Sequence, residues 1–156
     1  MLVTSFEMAQ RLKEADTLHL ARQVEPCSQL FTDQGIVAKP VGHGLAAVTL
    51  PEFGRKLNHI AGFEMAGQVS SEDLRIVENF HSKMGLDTEI EFCLHADTSA
   101  VQVLTSHGYA VNVWVNNYVR ALSGVDLHDG EFSGIKISQL ARDRRDQFPS
   151  TCLAGF

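Results

Sequence analysis

Residues 69–122 constrain the fold most, because they predict four consecutive secondary-structure elements joined by very short connections. The helix start is well defined: Ser70 can cap the free N–H groups, and Asp73 lies three residues on, as in a capping box. Apolar residues follow at helical spacing, and Gly85 is suited to end the helix. The first of the four elements is therefore a helix.

A strand, a second helix and a long strand complete this stretch. Residues 89–95 alternate strictly between apolar and polar side chains, as a half-buried strand does. Asp97 or Thr98 then caps a short helix that Gly108 closes, and the β-branched and aromatic residues 110–120 predict the final strand. Strands separated by short helical crossovers predict a partly parallel sheet covered by helices.

The N-terminal region predicts one more helix. Thr4 with Glu7 three residues later is a second capping box, and apolar residues follow at helical spacing in the order Phe6, Ala9, Leu12 and Ala15. The pattern predicts a helix that runs to about Gln23 and stops near Pro26, since proline removes a backbone donor.

Three further strands are predicted before residue 69. Residues 36–41 and 45–50 form two of them, joined through a turn at residues 42–44. Pro40 places the first at an edge or an end of the sheet. Residues 57–65 form the third, which Gly67 ends; Gly62 and Gly67 indicate a bulge or the close approach of a ligand.

Composition indicates one globular domain. The chain has 156 residues, 44% of them hydrophobic and 21% charged, and no apolar run long enough for a transmembrane helix. A net charge of −6 without a clustered basic face argues against nucleic acid as a partner. Three widely spaced cysteines fit a reducing, cytoplasmic location, and the seven histidines lack metal-site spacing, so no metal is predicted.

The sequence changes character after Leu122. Residues 123–134 are rich in glycine and aspartate and predict a linker. Residues 135–137 predict a short strand, a charged stretch follows, and the chain ends on apolar residues. We expect this C-terminal part to be the beginning of a second unit.

The order of these elements resembles that of the acyl-CoA N-acyltransferases of the GNAT superfamily. More specifically, residues 4–122 resemble the N-terminal half of bacterial and fungal proteins with two tandem GNAT-like domains. The matching segments are Phe6-Glu7-Met8-Ala9-Gln10-Arg11-Leu12, Leu57-Asn58-His59-Ile60-Ala61-Gly62-Phe63, Gly67-Gln68-Val69-Ser70-Ser71-Glu72-Asp73-Leu74, Ile90-Glu91-Phe92-Cys93 with Ala96-Asp97, and His107-Gly108-Tyr109 leading into Asn117-Tyr118-Val119-Arg120-Ala121-Leu122.

The resemblance implies an α/β (α+β) fold: a mixed, mostly antiparallel sheet with a parallel central pair, flanked by helices. It implies a GNAT-like domain over residues 1–122, a linker at 123–134, and at 135–156 the first strand and helix of a second GNAT domain. In this superfamily the central strands splay apart to make the acyl-CoA cleft. The Gln/Arg-x-x-Gly-x-Gly/Ala loop that grips the cofactor's pyrophosphate is not found in the sequence.

Glu64 is the candidate catalytic base, since the superfamily often has its base on the strand before the cofactor helix and amine acylation needs a proton acceptor. The alternative is a solvent-facing carboxylate on an alternating strand. Cys93 and His95 share a strand face but lie roughly 7 Å apart, which favours an ordinary cysteine over a nucleophile. Trp114 and Tyr118 either line a substrate pocket or pack under a helix. The candidate substrate-binding residues are His95, Trp114, Asn116 and Tyr118.

Three functions remain open. The first is an N-acyltransferase, or its N-terminal half without the cofactor, moving an acyl group from acetyl-CoA or another acyl-CoA to a small-molecule amine. The second is a non-catalytic binding or dimerisation module that binds no cofactor. The third is a fold repurposed to bind a small molecule in the vacated cleft. An incomplete sheet leaves an edge after Leu122, so we expect a homodimer or contact with a C-terminal GNAT domain.

Overall fold

The computed structural model describes residues 5–65 and 67–124, together with Ala141 and Asp143. The chain divides into two compact units, residues 1–113 and 114–156. The first contains α1 (Phe6–Leu30), β1 (Val37–Val41), β2 (Gly44–Val48), a 3₁₀ turn (Pro51–Phe53), α2 (Gly54–Leu57), β3 (Ile60–Ala61), α3 (Ser71–Lys83) and α4 (Thr98–Ser106). The expected strand and helix after residue 134 lie outside the described residues.

Both ends of helix α1 differ from the prediction. Its N-cap is Ser5 rather than Thr4, and the Ser5 side chain accepts a hydrogen bond from the Met8 N–H. The helix continues through Pro26 to Leu30 instead of stopping near Gln23. Proline removes one backbone hydrogen bond, and here that loss falls close to the end of a helix whose packing on the sheet is already established.

The buried face of α1 also differs from the predicted stripe. Ala9, Lys13, Leu20 and Val24 are buried, whereas Phe6 is 51% exposed. The buried positions are separated by four, seven and four residues, which keeps them on one side of the helix. A lysine therefore lies on the face that packs against the rest of the unit.

The three strands form an antiparallel sheet in the order β1-β2-β3. The predicted hairpin is confirmed: Val41 pairs with Gly44, so residues 42 and 43 form the two-residue turn. Strand β1, which carries Pro40, is at the edge of this sheet, as predicted. Strand β3 is much shorter than the predicted 57–65 strand and contains only Ile60 and Ala61.

Helices cover both faces of the sheet. On one face Leu20 and Val24 of α1 pack with Leu45, Ala47 and Ala61. On the other, α3 and α4 pack over the alternate strand residues. This second cluster contains Val41, Ala46, Ile60, Phe63, Val69, Leu74, Val77 and Ala100. Because β2 lies between two covered faces, every one of its residues is buried.

The caps of α3 and α4 agree with the sequence. Ser70 accepts a hydrogen bond from the Asp73 N–H and Asp97 accepts one from the Ser99 N–H. After α3, the Gly85 N–H bonds to the Ser82 carbonyl and the next N–H bonds to the His81 carbonyl. This is a Schellman motif, and Gly85 supplies its left-handed residue at φ 68°.

The two strands predicted after α3 are not formed. Residues 89–95 contribute one parallel bridge, between Ile60 and Ile90, and Leu94 is 78% exposed. Residues 110–120 contain neither helix nor strand, and Trp114 is 72% exposed. Strand propensity reflects packing against a neighbouring strand, so a β-branched segment without such a neighbour need not become one.

In the part of the chain that the structure describes, the fold is α+β, with four helices and a three-stranded antiparallel sheet. Within the described residues, no helix combines the length and the hydrophobicity that crossing a bilayer would require. In the second unit, residues 114–124 are exposed.

Candidate functional site

Glu64 lies in the turn that follows β3, close to the point where β3 pairs with residues 89–95. Backbone pairing between them is confined to the Ile60–Ile90 bridge, where the Ile60 N–H bonds to the Glu89 carbonyl and the Glu91 N–H bonds to the Ile60 carbonyl, both at 2.9 Å. The chain then turns at residues 62–65, and the Glu64 side chain extends toward Cys93. Its Oε1 accepts a hydrogen bond from the Cys93 N–H at 3.0 Å.

The Glu64 carboxyl group is fully buried and only half satisfied. Its exposed fraction is 0%, and Oε2 has no hydrogen-bond partner among the described residues. Burial raises the pKa of Glu64, and the Lys13 ammonium and the Cys93 N–H oppose that rise. The alternative that Glu64 is a solvent-facing carboxylate on an alternating strand is wrong, because the residue is buried and lies in a turn.

Two charged side chains, Lys13 and Glu91, act on this carboxyl group, and both interact with further titratable residues. Lys13 of α1 is 8% exposed, and its Nζ lies 3.1 Å from Glu91 Oε2. The other oxygen of Glu91 lies 3.8 Å from Nε2 of His59, which immediately precedes β3. Asp16, one turn along α1 from Lys13, has a raised pKa because of burial, with Glu91 adding to the rise. Lys13, Asp16, His59, Glu64 and Glu91 thus form one cluster of charged and titratable side chains.

The candidate substrate-binding residues are exposed. His95 is exposed, whereas Glu64 is closed to solvent. Trp114, Asn116 and Tyr118 belong to the second unit and are exposed, Tyr118 to 91%. Two surface grooves, of about 290 and 330 Å³, are lined by other residues.

Cys93 takes part in the site through its backbone rather than its thiol. The side chain is partly buried, and its N–H is the group that Glu64 binds. Across the described ranges, no group of three or more His, Cys, Asp or Glu side chains has an arrangement that could hold a metal ion.

A second polar cluster joins α3 to the segment after α4. Glu78 Oε1 lies 3.2 Å from both His107 Nδ1 and the Tyr109 hydroxyl, which donates to it. Burial and the neighbouring Glu78 carboxylate raise the pKa of Tyr109 to about 12. The phenol therefore stays protonated, and the cluster serves to hold the two elements together.

Sequence reasoning missed three buried polar residues, His81, Lys13 and Asn58. His81 lies on the buried face of α3, which the sequence analysis assigned to apolar residues only. The spacing of Leu74, Val77 and His81 on α3 would have indicated it, since these residues share one helix face. Lys13 follows Ala9 by four residues and shares its face in the same way. For Asn58, no signal in the sequence points to burial.

We expect His81 to make the stability of the chain decrease in acid. The ring is fully buried between the Val77 carbonyl, 3.2 Å from Nδ1, and the Ala47 carbonyl, 3.1 Å from Nε2. Burial lowers its pKa, so the unfolded chain binds the proton more readily than the folded one. The free energy of unfolding should therefore fall as the pH drops below about 6.5, by up to about 1.4 kcal/mol per pH unit.

Urea unfolding at pH 5 to 8 measures this slope. The variant His81→Gln should lose the part of it that comes from His81, and His43→Gln, at an exposed turn position, should retain it. Equal slopes in the two variants would show that His81 does not carry the effect.

No protein-family model, no curated protein and no solved structure matches the chain.

Proposed function

We propose that the chain is a non-catalytic binding and assembly module, built on a degenerate GNAT-like core that does not bind acyl-CoA. The observation that carries this proposal is the position of Glu64. Its carboxyl group lies between the turn after β3 and the segment that contains Cys93, whose N–H it accepts at 3.0 Å. In the superfamily that the sequence resembles, the cofactor cleft opens between the central strands at the corresponding place in the element order.

A pantetheine arm that binds between two diverging strands needs space between them and backbone N–H groups that are not already hydrogen-bonded. Here the Cys93 N–H is already paired and the Glu64 side chain is 0% exposed, so binding would have to displace a buried side chain. The sequence also lacks a glycine-rich loop to hold the pyrophosphate. Both observations argue against acyl-CoA as a ligand of this chain.

The assembly role is supported by the exposed apolar side chains between residues 114 and 122. Five large apolar residues of this segment are at least 40% exposed, namely Trp114, Val115, Tyr118, Val119 and Leu122. Exposed large apolar side chains grouped in this way are typical of an interaction site. We propose a homodimer, and contact with a C-terminal GNAT domain is the alternative partner.

An acyltransferase with Glu64 as the base is the second candidate. The raised pKa of Glu64 and its unpartnered oxygen favour it, because a carboxylate whose pKa is raised is a stronger base for the removal of an ammonium proton. This candidate requires the turn after β3 and the segment that contains Cys93 to separate and admit an acyl-CoA and an amine.

Thermal shift with acetyl-CoA and a longer acyl-CoA distinguishes the two candidates. A ligand at 100 times its dissociation constant stabilises a protein by about 2.7 kcal/mol, which is readily seen as a higher melting temperature. We expect no shift at millimolar acetyl-CoA. A concentration-dependent rise would favour the acyltransferase.

Light scattering after size exclusion tests the assembly role. We expect the mass to be twice the 17.2 kDa of the chain. The double variant Trp114→Ser, Tyr118→Ser should become monomeric, while Ile76→Ser, which removes a 42%-exposed side chain of α3, should leave the dimer intact. A wild-type monomer at all concentrations would exclude the homodimer.

A further inference from the structure

Glu64 makes two of the contacts that attach the segment before α4. Beyond the Ile60–Ile90 bridge and the Lys13–Glu91 ion pair, the Cys93 N–H donates to the Glu64 carboxyl group at 3.0 Å, and the Asp97 N–H donates to the Glu64 main-chain carbonyl at 3.4 Å. Asp97 is also the N-cap of α4. The carboxyl contact, at Cys93, therefore involves a side chain that can lose a proton.

Two charged side chains act on Glu64, namely Lys13 of α1 and Glu91 of the segment itself. Lys13 pairs with Glu91 at 3.1 Å, and the other oxygen of Glu91 lies 3.8 Å from Nε2 of His59, in the loop before β3. Asp16 of α1 interacts with the same Lys13, Glu91 and His59 and with His19. When Glu64 ionises, its carboxylate and that of Glu91 share the Lys13 ammonium.

We propose that Glu64 is a pH-sensitive latch: its neutral carboxyl group holds residues 91–97 against β3, and its ionisation releases them. The latch goes beyond the proposed assembly role and does not depend on it. Release exposes Glu64 to water, which supplies partners for the oxygen that has none among the described protein groups.

The direction of the switch follows from burial. Burial raises the pKa of Glu64 above its ordinary value, so the closed form favours the neutral carboxyl group. The open segment places the same group in water, where it ionises at its ordinary pKa. Raising the pH above 4.5 therefore favours opening progressively, until the raised pKa of the closed form is reached. Asp16 changes in the same direction, since its pKa is also raised.

Hydrogen exchange followed by NMR tests the latch on the full chain. After correction for intrinsic exchange, the protection factors of the Cys93 and Asp97 amides should fall with rising pH, by up to ~10-fold per pH unit within that range. The Val77 amide in the middle of α3 is the internal reference and should not follow them. Protection of Cys93 and Asp97 that stays constant from pH 4.5 to 8.5 would overturn the proposal.

Two variants distinguish opening controlled by Glu64 from a general loss of stability. Glu64→Gln keeps an acceptor for the Cys93 N–H and cannot ionise, so its protection factors should lose the part of the pH dependence that comes from Glu64. Lys13→Met removes the cation that lowers the pKa of Glu64 in the closed form, so opening should begin at the same pH but continue to a higher pH than in wild type. Lys56→Met, at an exposed position of α2, should behave as wild type.

Each variant can refute the latch separately. A Glu64→Gln profile that still follows the wild-type pH dependence would overturn it. If Glu64→Gln does not fold, an unchanged Lys13→Met profile would overturn it instead. Acyl-CoA binding and oligomeric mass are separate readouts, so failure of the proposed function would be recognised independently.

Discussion

Adding one methyl group at Gly44 is expected to lower the free energy of unfolding by about 3 kcal/mol or more. A Cβ atom at this position would lie 2.4 Å from both the Ala61 carbonyl oxygen and the Phe63 nitrogen. Both are backbone atoms, and neither can move without breaking the pairing of β2 with β3. Urea unfolding of Gly44→Ala beside wild type measures the loss.

Gly85→Ala is the matched control for this substitution. Gly85 has φ 68°, and a Cβ there would meet nothing within 4 Å, so its cost is conformational only, about 1 to 2 kcal/mol. Gly44 is not at a positive φ, so its cost is steric only. If Gly44→Ala proves no more destabilising than Gly85→Ala, β2 and β3 do not approach each other at Gly44 as closely as the structure shows.

The features that the sequence predicted well are those set by neighbouring residues. The Ser70 and Asp97 caps act on N–H groups two or three residues away, and the 42–43 turn joins two adjacent strands. Such interactions are visible in a short window of sequence. They were enough to predict α3, α4 and the hairpin.

The features that the sequence did not predict depend on residues far apart in the chain. Lys13 is buried because it meets Glu91, 78 positions later, and Glu64 is buried because it meets the Cys93 N–H, 29 positions later. The end of α1 was misplaced for a related reason: Leu20 and Val24 pack on the sheet, and tertiary packing overrides the local effect of Pro26.

The 110–120 segment failed as a predicted strand for a different reason. Its alternation of valines with larger and polar residues is typical of a strand, but the alternation describes only which faces a strand would have. It does not supply the neighbouring strand. If the proposed homodimer forms through this segment, the pattern would find its partner in a second copy of the chain.

Asn58→Ala is expected to be about as damaging as Gly44→Ala, because a single buried side chain organises the turn between β2 and β3. Asn58 is 3% exposed, and its Oδ1 accepts hydrogen bonds from the Thr49 N–H at 2.6 Å and the Thr49 hydroxyl at 2.8 Å. Its Nδ2 donates to the Leu50 and Gly54 carbonyls, both at 3.0 Å. Each buried group left without a partner costs about 1 to 3 kcal/mol, so we expect a loss of about 3 kcal/mol in urea unfolding.

Asn58→Asp shows whether the loss comes from hydrogen bonding rather than from volume. Aspartate keeps the acceptor for Thr49, but when ionised it places an oxygen against the two carbonyls that Nδ2 now serves. A protonated carboxyl group can still donate there, so the pKa of this aspartate should be raised in the folded state and the variant should lose stability as the pH rises from 4 to 7. Asn112→Ala, at an exposed position, should change the free energy of unfolding by less than about 0.5 kcal/mol. A pH-independent Asn58→Asp, or an Asn58→Ala as mild as Asn112→Ala, would contradict this account, since the cost is assigned to unpaired polar groups and not to lost packing.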